Sequence, residues 1–164
     1  MSFDPEPNLD EIDRRLLHEL QDNARVSYSE LGRRVGLTPP AVAERVRRLE
    51  ETGIVLGYHA QVDPGRMGLP LTAFVRVSVR SASRTELGEQ VPDYPEVLEA
   101  HRVTGVDCYV LKVAVTDVSH LQELIDRLMP YGDTVTSIVL SSPVDHRVIE
   151  TASASEARGK RAAG

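Results

Sequence analysis

Residues 37–53 read LTPPAVAERVRRLEETG, and the fold turns on how this stretch is read. Thr38 is a good helix N-cap, and Pro39 stands at the first helical position, where its missing N–H costs nothing. Val42, Val46 and Leu49 recur at helical spacing, and Gly53 supplies a stop. With those three turned inward at about 100° per residue, the outward arc holds Pro40, Ala43, Glu44, Arg47, Arg48 and Glu51. Arg45 falls at the edge of the buried stripe, where it supports the fold. Three arginines thus crowd one short helix of a chain whose net charge is −6.

Just upstream, SYSE (27–30) pairs a Ser27 cap with Glu30 at the third helical position. Leu31 and Val35 give this helix an apolar side, and Gly36 supplies a left-handed end. Only Leu37 then separates Gly36 from Thr38, which is the tight turn of a helix-turn-helix. An earlier helix opens at Asn8 as cap with Glu11 behind it, and buries Leu9, Ile12, Leu16, Leu17 and Leu20. Downstream, IVLGYHAQV (54–62) is β-branched and aromatic, as expected of a strand serving as a wing. Residues 8–62 therefore form a winged helix-turn-helix domain, and DPGRMGLP (63–70) is a linker.

Residues 71–150 change period. LTAFVRVSVR (71–80) alternates as a strand, 84–92 reads as a helix stopped by Pro92, and 96–105 and 107–115 read as strands. Residues 119–129 form a helix capped by Ser119, and 134–144 a last strand. The fold class is α+β, a winged helix-turn-helix followed by a ferredoxin-like βαββαβ domain. Strand 107–115 is apolar on both faces, with Tyr109, Leu111, Val113 and Val115 on one and Cys108, Val110 and Ala114 on the other. Two helices cover one face only, so the other calls for a second copy of the chain. Residues 151–164 are small and polar and read as a disordered tail.

Composition narrows the function. Cys108 is the only cysteine, and the five histidines are scattered, so neither a disulfide nor a metal site is expected, and no cofactor. The apolar runs are too short to span a bilayer and the N-terminus lacks a signal-peptide pattern, which implies a cytoplasmic protein with no membrane partner. No nucleophile–base, paired-carboxylate or phosphate-loop constellation points to an enzyme. Charge is segregated: residues 25–48 hold six arginines against two glutamates, whereas residues 1–24 hold seven acids against two arginines. Such a local basic block is either a solvated helix face or the footprint of a polyanion.

The helical pattern favours duplex DNA. Recognition helices meet base edges with their N-terminal and outer residues. Thr38, Pro39, Pro40, Ala43, Glu44 and Arg47 are the base-side candidates, with Arg47 suited to guanine and Glu44 to cytosine N4. Arg48, Arg33 and Arg34 suit phosphates, and the helix starts at Ser27 and Thr38 offer backbone N–H groups.

The runs LDEIDRRLLHEL, LGRRVGLTPPAV, ERVRRLEETGIV and GYHAQVDP, in this order and spacing, resemble the N-terminal half of the Lrp/AsnC (feast/famine) transcriptional regulators. HRVTGVDCYVLKVAV and DTVTSIVL resemble that family's effector domain. The resemblance implies a DNA-binding regulator whose second domain dimerises and binds a small effector, usually an amino acid, with dimers assembling to tetramers or octamers. In the Thr104–Gly105–Val106–Asp107 turn, a glycine permits close approach, backbone N–H groups suit a carboxylate, and Asp107 can accept from an ammonium. A plain hairpin glycine with a capping aspartate explains the same residues. The resemblance adds Thr134 and Thr136 from the last strand to the effector site, with His101 and Tyr109 at its border. GVDCY (105–109) departs from the family's Gly-Asp-Phe-Asp-Tyr type run at Val106 and Cys108. Cys108 reads either as a small buried hydrophobe or as a redox sensor. Two rival functions use the same fold: a tetrapyrrole decarboxylase, which would bind a coloured ligand, and a non-DNA-binding adaptor, whose binding would not respond to salt.

Overall fold

A computed structural model describes residues 9–79, 84–106 and 108–150. The described residues divide into two compact units, 9–60 with 144–150, and 61–143.

The first unit holds α1 (Glu11–Asp22), α2 (Tyr28–Val35) and α3 (Pro39–Glu51). The cap of α1 is Asp10 rather than Asn8, which lies outside the described residues. Asp10 accepts from the Asp13 N–H at 2.8 Å and Asp13 returns the bond at 3.3 Å, a reciprocal capping box. Ser27 Oγ accepts from the Glu30 N–H at 3.2 Å and starts α2. The α2–α3 turn is as tight as its sequence suggests. Gly36 ends α2 at φ 76°, and a Cβ on Gly32 would sit 2.4 Å from the Leu37 carbonyl, so both positions require glycine. Leu16, Leu20, Leu31, Val35, Val42 and Val46 close the core between the three helices.

One expectation about this unit fails. Residues 54–62 contain no strand, so no wing forms from them within the chain. A strand needs a hydrogen-bonded neighbour, and the described part of this unit offers none. Instead Tyr58 donates from its hydroxyl to Glu50 at 2.8 Å and lines a depression beside Tyr28 and Ser27. The last strand stops at Ile138 rather than 144, and residues 144–150 pack with the first unit. The Gln21 amide clasps the backbone of Ile149, donating to its carbonyl at 3.1 Å and accepting from its N–H at 2.9 Å. The 151–164 tail lies outside the described residues.

The second unit has β1 (Leu71–Val79), α4 (Arg84–Gln90), β2 (Val97–Arg102), β3 (Tyr109–Val115), α5 (Val118–Leu128) and β4 (Gly132–Ile138). The sheet order is β2-β3-β1-β4 with every neighbour antiparallel, the ferredoxin-like arrangement. Alternation sends Ala73, Val75, Val77 and Val79 of β1 and Tyr109, Leu111, Val113 and Val115 of β3 into a core with Leu87, Leu121, Leu124 and Leu128 from the helices. The other face carries Phe74, Arg76, Val110, Lys112 and Ala114, with Phe74 41% exposed. Cys108, expected on that open face, joins the core cluster instead. It precedes the strand, where the alternation does not yet apply, and its thiol turns toward the Val79 carbonyl.

The cap of α5 is Asp117, which accepts from the His120 N–H at 3.0 Å, in place of Ser119. The helix is pinned to the start of β2 by buried Glu96. One oxygen of that carboxylate meets His120 Nε2 at 3.1 Å and the Arg127 guanidinium, which lies over the Tyr94 ring, while Oε2 is buried without a partner among the described residues. Burial pushes the Glu96 carboxyl up, but its own backbone N–H, His120 and Arg127 outweigh this and hold it below the usual range.

Candidate nucleic-acid interface

The ten candidate DNA residues all lie on α2, α3 and their caps. Ser27, Arg33, Arg34, Thr38, Pro39, Pro40, Glu44, Arg47 and Arg48 are exposed, and Ala43 is half-buried. The packing explains this distribution. Val42, Val46 and Leu49 are buried to 1% exposure or less, which forces the intervening residues outward. The α3 N-terminus is poorer in donors than a generic helix start. Pro39 and Pro40 remove two of its N–H groups, and Thr38 makes no side-chain cap bond.

The arginines are not free cations. Arg33 grips Glu30 with two bonds at 2.7 and 2.9 Å, and Arg34 bonds Glu30 at 2.8 Å and also reaches Glu19 on α1. The two guanidiniums pull the Glu30 carboxyl down to about 2. Arg47 lies between two acids of its own helix, meeting Glu44 at 2.6 Å through Nη2 and Glu51 through Nη1. Arg47 holds the Glu44 carboxyl below its ordinary range.

Arg48 and Arg45 turn toward α1. Arg48 Nη2 bonds Asp13 Oδ2 at 2.8 Å, and Arg45 Nη1 bonds Asp13 Oδ1 at 2.8 Å and Asp10 at 2.6 Å. Asp13 is 1% exposed. The sequence reading passed over it, although its position carried a signal. It stands four residues after Leu9 and three before Leu16, an acid inside an apolar stripe, which requires cationic partners.

The effector candidates fall into separate places. The hairpin between β2 and β3 closes through the Val103 N–H on the Cys108 carbonyl at 3.0 Å, with Gly105 at φ 118°. Thr104, Gly105 and Val106 are exposed at its tip, and Asp107 lies outside the described residues. His101 faces the open side of the sheet and sits 3.4 Å from Glu99. Tyr109 opens β3 just after the loop. Its ring is in the core, its hydroxyl so close to α4 that a Cβ on Gly88 would lie 2.7 Å away. Thr134 and Thr136 pair with Val77 and Val75 on the helix-covered face of β4. One chain thus keeps these threonines on the face opposite His101, and β4 is two strand spacings, about 10 Å, from β3.

The sequence profile of the AsnC-type helix-turn-helix domain matches residues 9–50, and that of the Lrp/AsnC ligand binding domain matches residues 72–149. The HTH-type transcriptional regulator LrpC of Bacillus subtilis is 35% identical over 133 residues, covering 81% of this chain and 92% of LrpC. Its solved structure superposes with a TM-score of 0.81 at 34% identity, over 85% of this chain and all of that one. The leucine-responsive regulatory protein of Escherichia coli is 37% identical, covering 83% of this chain and 87% of its own length. A transcriptional regulator of Neisseria meningitidis, solved in complex with L-Met, superposes with a TM-score of 0.81 at 33% identity, covering 86% and 96% of the two chains. With both domains matched in order across most of its length, the chain belongs to the Lrp/AsnC family of helix-turn-helix transcriptional regulators.

Proposed function

We propose that this protein regulates transcription by binding particular duplex sequences through α2 and α3, under the control of an amino-acid effector. The observation that carries the reading is the exposed outer face of α3, presented by a glycine-tight turn and flanked by Arg33, Arg34, Arg47 and Arg48. Thr38, Pro39, Pro40, Ala43, Glu44 and Arg47 face base edges, and Ser27 with the remaining arginines faces phosphates. The Thr104–Asp107 loop, with His101, takes the effector, and a relative in complex with L-Met supports an amino acid in that role. Thr134 and Thr136 of the same chain face away from His101, so they join the site only when supplied by another copy. The open sheet face with Phe74 and Val110 packs against a second chain, making the working species a homodimer or a larger even assembly.

The test is binding to genomic fragments, including the DNA upstream of its own gene, over a salt series. The wild type is compared with Arg47→Ala, because Arg48 also supports Asp13. Selective binding that weakens steeply with salt and is reduced in the variant is the expected result. Absence of binding at low salt by the folded protein, with and without amino acids, would sink the reading.

A further inference from the structure

Every arginine of α3 is neutralised inside the molecule, but not in the same way. Arg45 and Arg48 are held by α1, where Asp13 is buried and cannot do without them. Among the described residues, Arg47 is held only by its own helix. Nε and Nη2 meet the two oxygens of Glu44 at 3.2 and 2.6 Å, and Nη1 meets Glu51. All three side chains are more than half exposed, so no packing against another element imposes this arrangement. Glu51 is also the last residue of α3, where the helix dipole disfavours a carboxylate. The helix dipole therefore does not account for an acid at this position. Its geometry toward Arg47 does.

We propose that Glu51 is a specificity-determining residue. Its carboxylate latches Arg47 along the helix axis in the free protein and on arbitrary duplex, and yields it only to a base edge that accepts the guanidinium fork. This rests on the DNA-binding reading above. Trading a carboxylate for one backbone phosphate exchanges one charge-assisted bond for another and leaves Glu51 unpaired in the negative field of the duplex. A bidentate base contact in the dehydrated groove adds geometric complementarity that a single phosphate lacks. Non-specific binding thus forgoes the Arg47 contact, and specific binding gains it. Glu50 provides a control on the same turn, since it has the same charge but bonds the Tyr58 hydroxyl rather than Arg47.

The experiment compares wild type, Glu51→Gln, Glu50→Gln, Arg47→Ala and the Arg47→Ala/Glu51→Gln double variant over a salt series. The probes are a random-sequence duplex pool and a duplex enriched from that pool by the wild type. Glu51→Gln should tighten binding to the random pool on the order of threefold to fivefold and steepen its log–log salt slope by about 0.9, the value of one added phosphate contact. The slope on the enriched duplex should stay unchanged, so selectivity falls. Glu50→Gln should not alter the random-pool slope, and Glu51→Gln should have no such effect once Arg47 is absent. Equal effects of the two glutamine variants, or a Glu51→Gln effect that persists beside Arg47→Ala, would overturn the latch while leaving DNA binding intact. Failure of the wild type to bind either probe would overturn DNA binding and the latch together.

Discussion

Arg48 donates to a carboxylate, that of Asp13, which α1 has drawn almost wholly out of solvent, at 2.8 Å. An arginine on the exposed face of α3 is therefore also a fastener of that helix. Replacing Asp13 by Ala removes the acceptor of Arg45, Arg48 and the Asp10 N–H together, and should cost about 2 kcal/mol. Arg48→Ala should cost about 1 kcal/mol, and Arg47→Ala close to nothing. Thermal unfolding of the three variants checks the order. Equal melting points for Arg47→Ala and Arg48→Ala would contradict it.

Acid should loosen the first unit through Glu30. Its folded pKa of about 2 lies below the ordinary 4.5, so its pairing with Arg33 and Arg34 stabilises fully above 4.5 and is lost as the pH falls from 4.5 toward about 2. Stability curves of wild type and Glu30→Gln should differ above that window and converge below it. Raising the salt should narrow the gap, because the pair is solvent-exposed. Parallel curves through the acid range would show that the pairing contributes nothing.

Glu96 should govern how firmly α5 is held. Glu96→Ala deletes the acceptor shared by His120 and Arg127 and should cost about 2 kcal/mol, with faster amide exchange along α5. Unchanged protection of α5 would assign its anchoring to Leu121, Leu124 and Leu128 alone.

The open sheet face offers a test of assembly. Phe74→Asp places a charge among Val110, Ala114 and Lys112 without touching the core under the helices, and should shift sedimentation from dimer or larger to monomer. A variant that sediments like the wild type would move the interface elsewhere.

Much of the fold could be read residue by residue because local chemistry settled it. Gly36–Leu37–Thr38 left room for one kind of turn, and the period-two pattern of β1 and β3 placed their core faces. Misreadings came where a local pattern had two solutions or a non-local partner. Asn8 and Asp10 are both good caps, and the reciprocal bond with Asp13 decides between them. Ser119 and Asp117 posed the same choice. Residues 54–62 have strand composition, but a strand is a property of two segments. In the interface, the three- and four-residue spacings of Glu30, Arg33 and Arg34, and of Glu44, Arg47 and Glu51, were visible. Counting net charge over a window hid the pairing.

The clasp between Gln21 and Ile149 should be measurable as protection. Gln21→Ala removes both bonds and should speed proteolytic cutting in residues 144–150 while leaving α1–α3 intact. Identical cutting rates would show that the clasp does not hold the segment.

That clasp joins residues 128 positions apart. Synthesis runs from the N-terminus, so α1, α2 and α3 leave the ribosome early and can pack while the sheet is still being made. The strap that seats on α1 arrives only after the whole of the second unit has emerged. The first unit to begin folding is thus the last to be finished, and its final seam closes only after the sheet that interrupts it has been made.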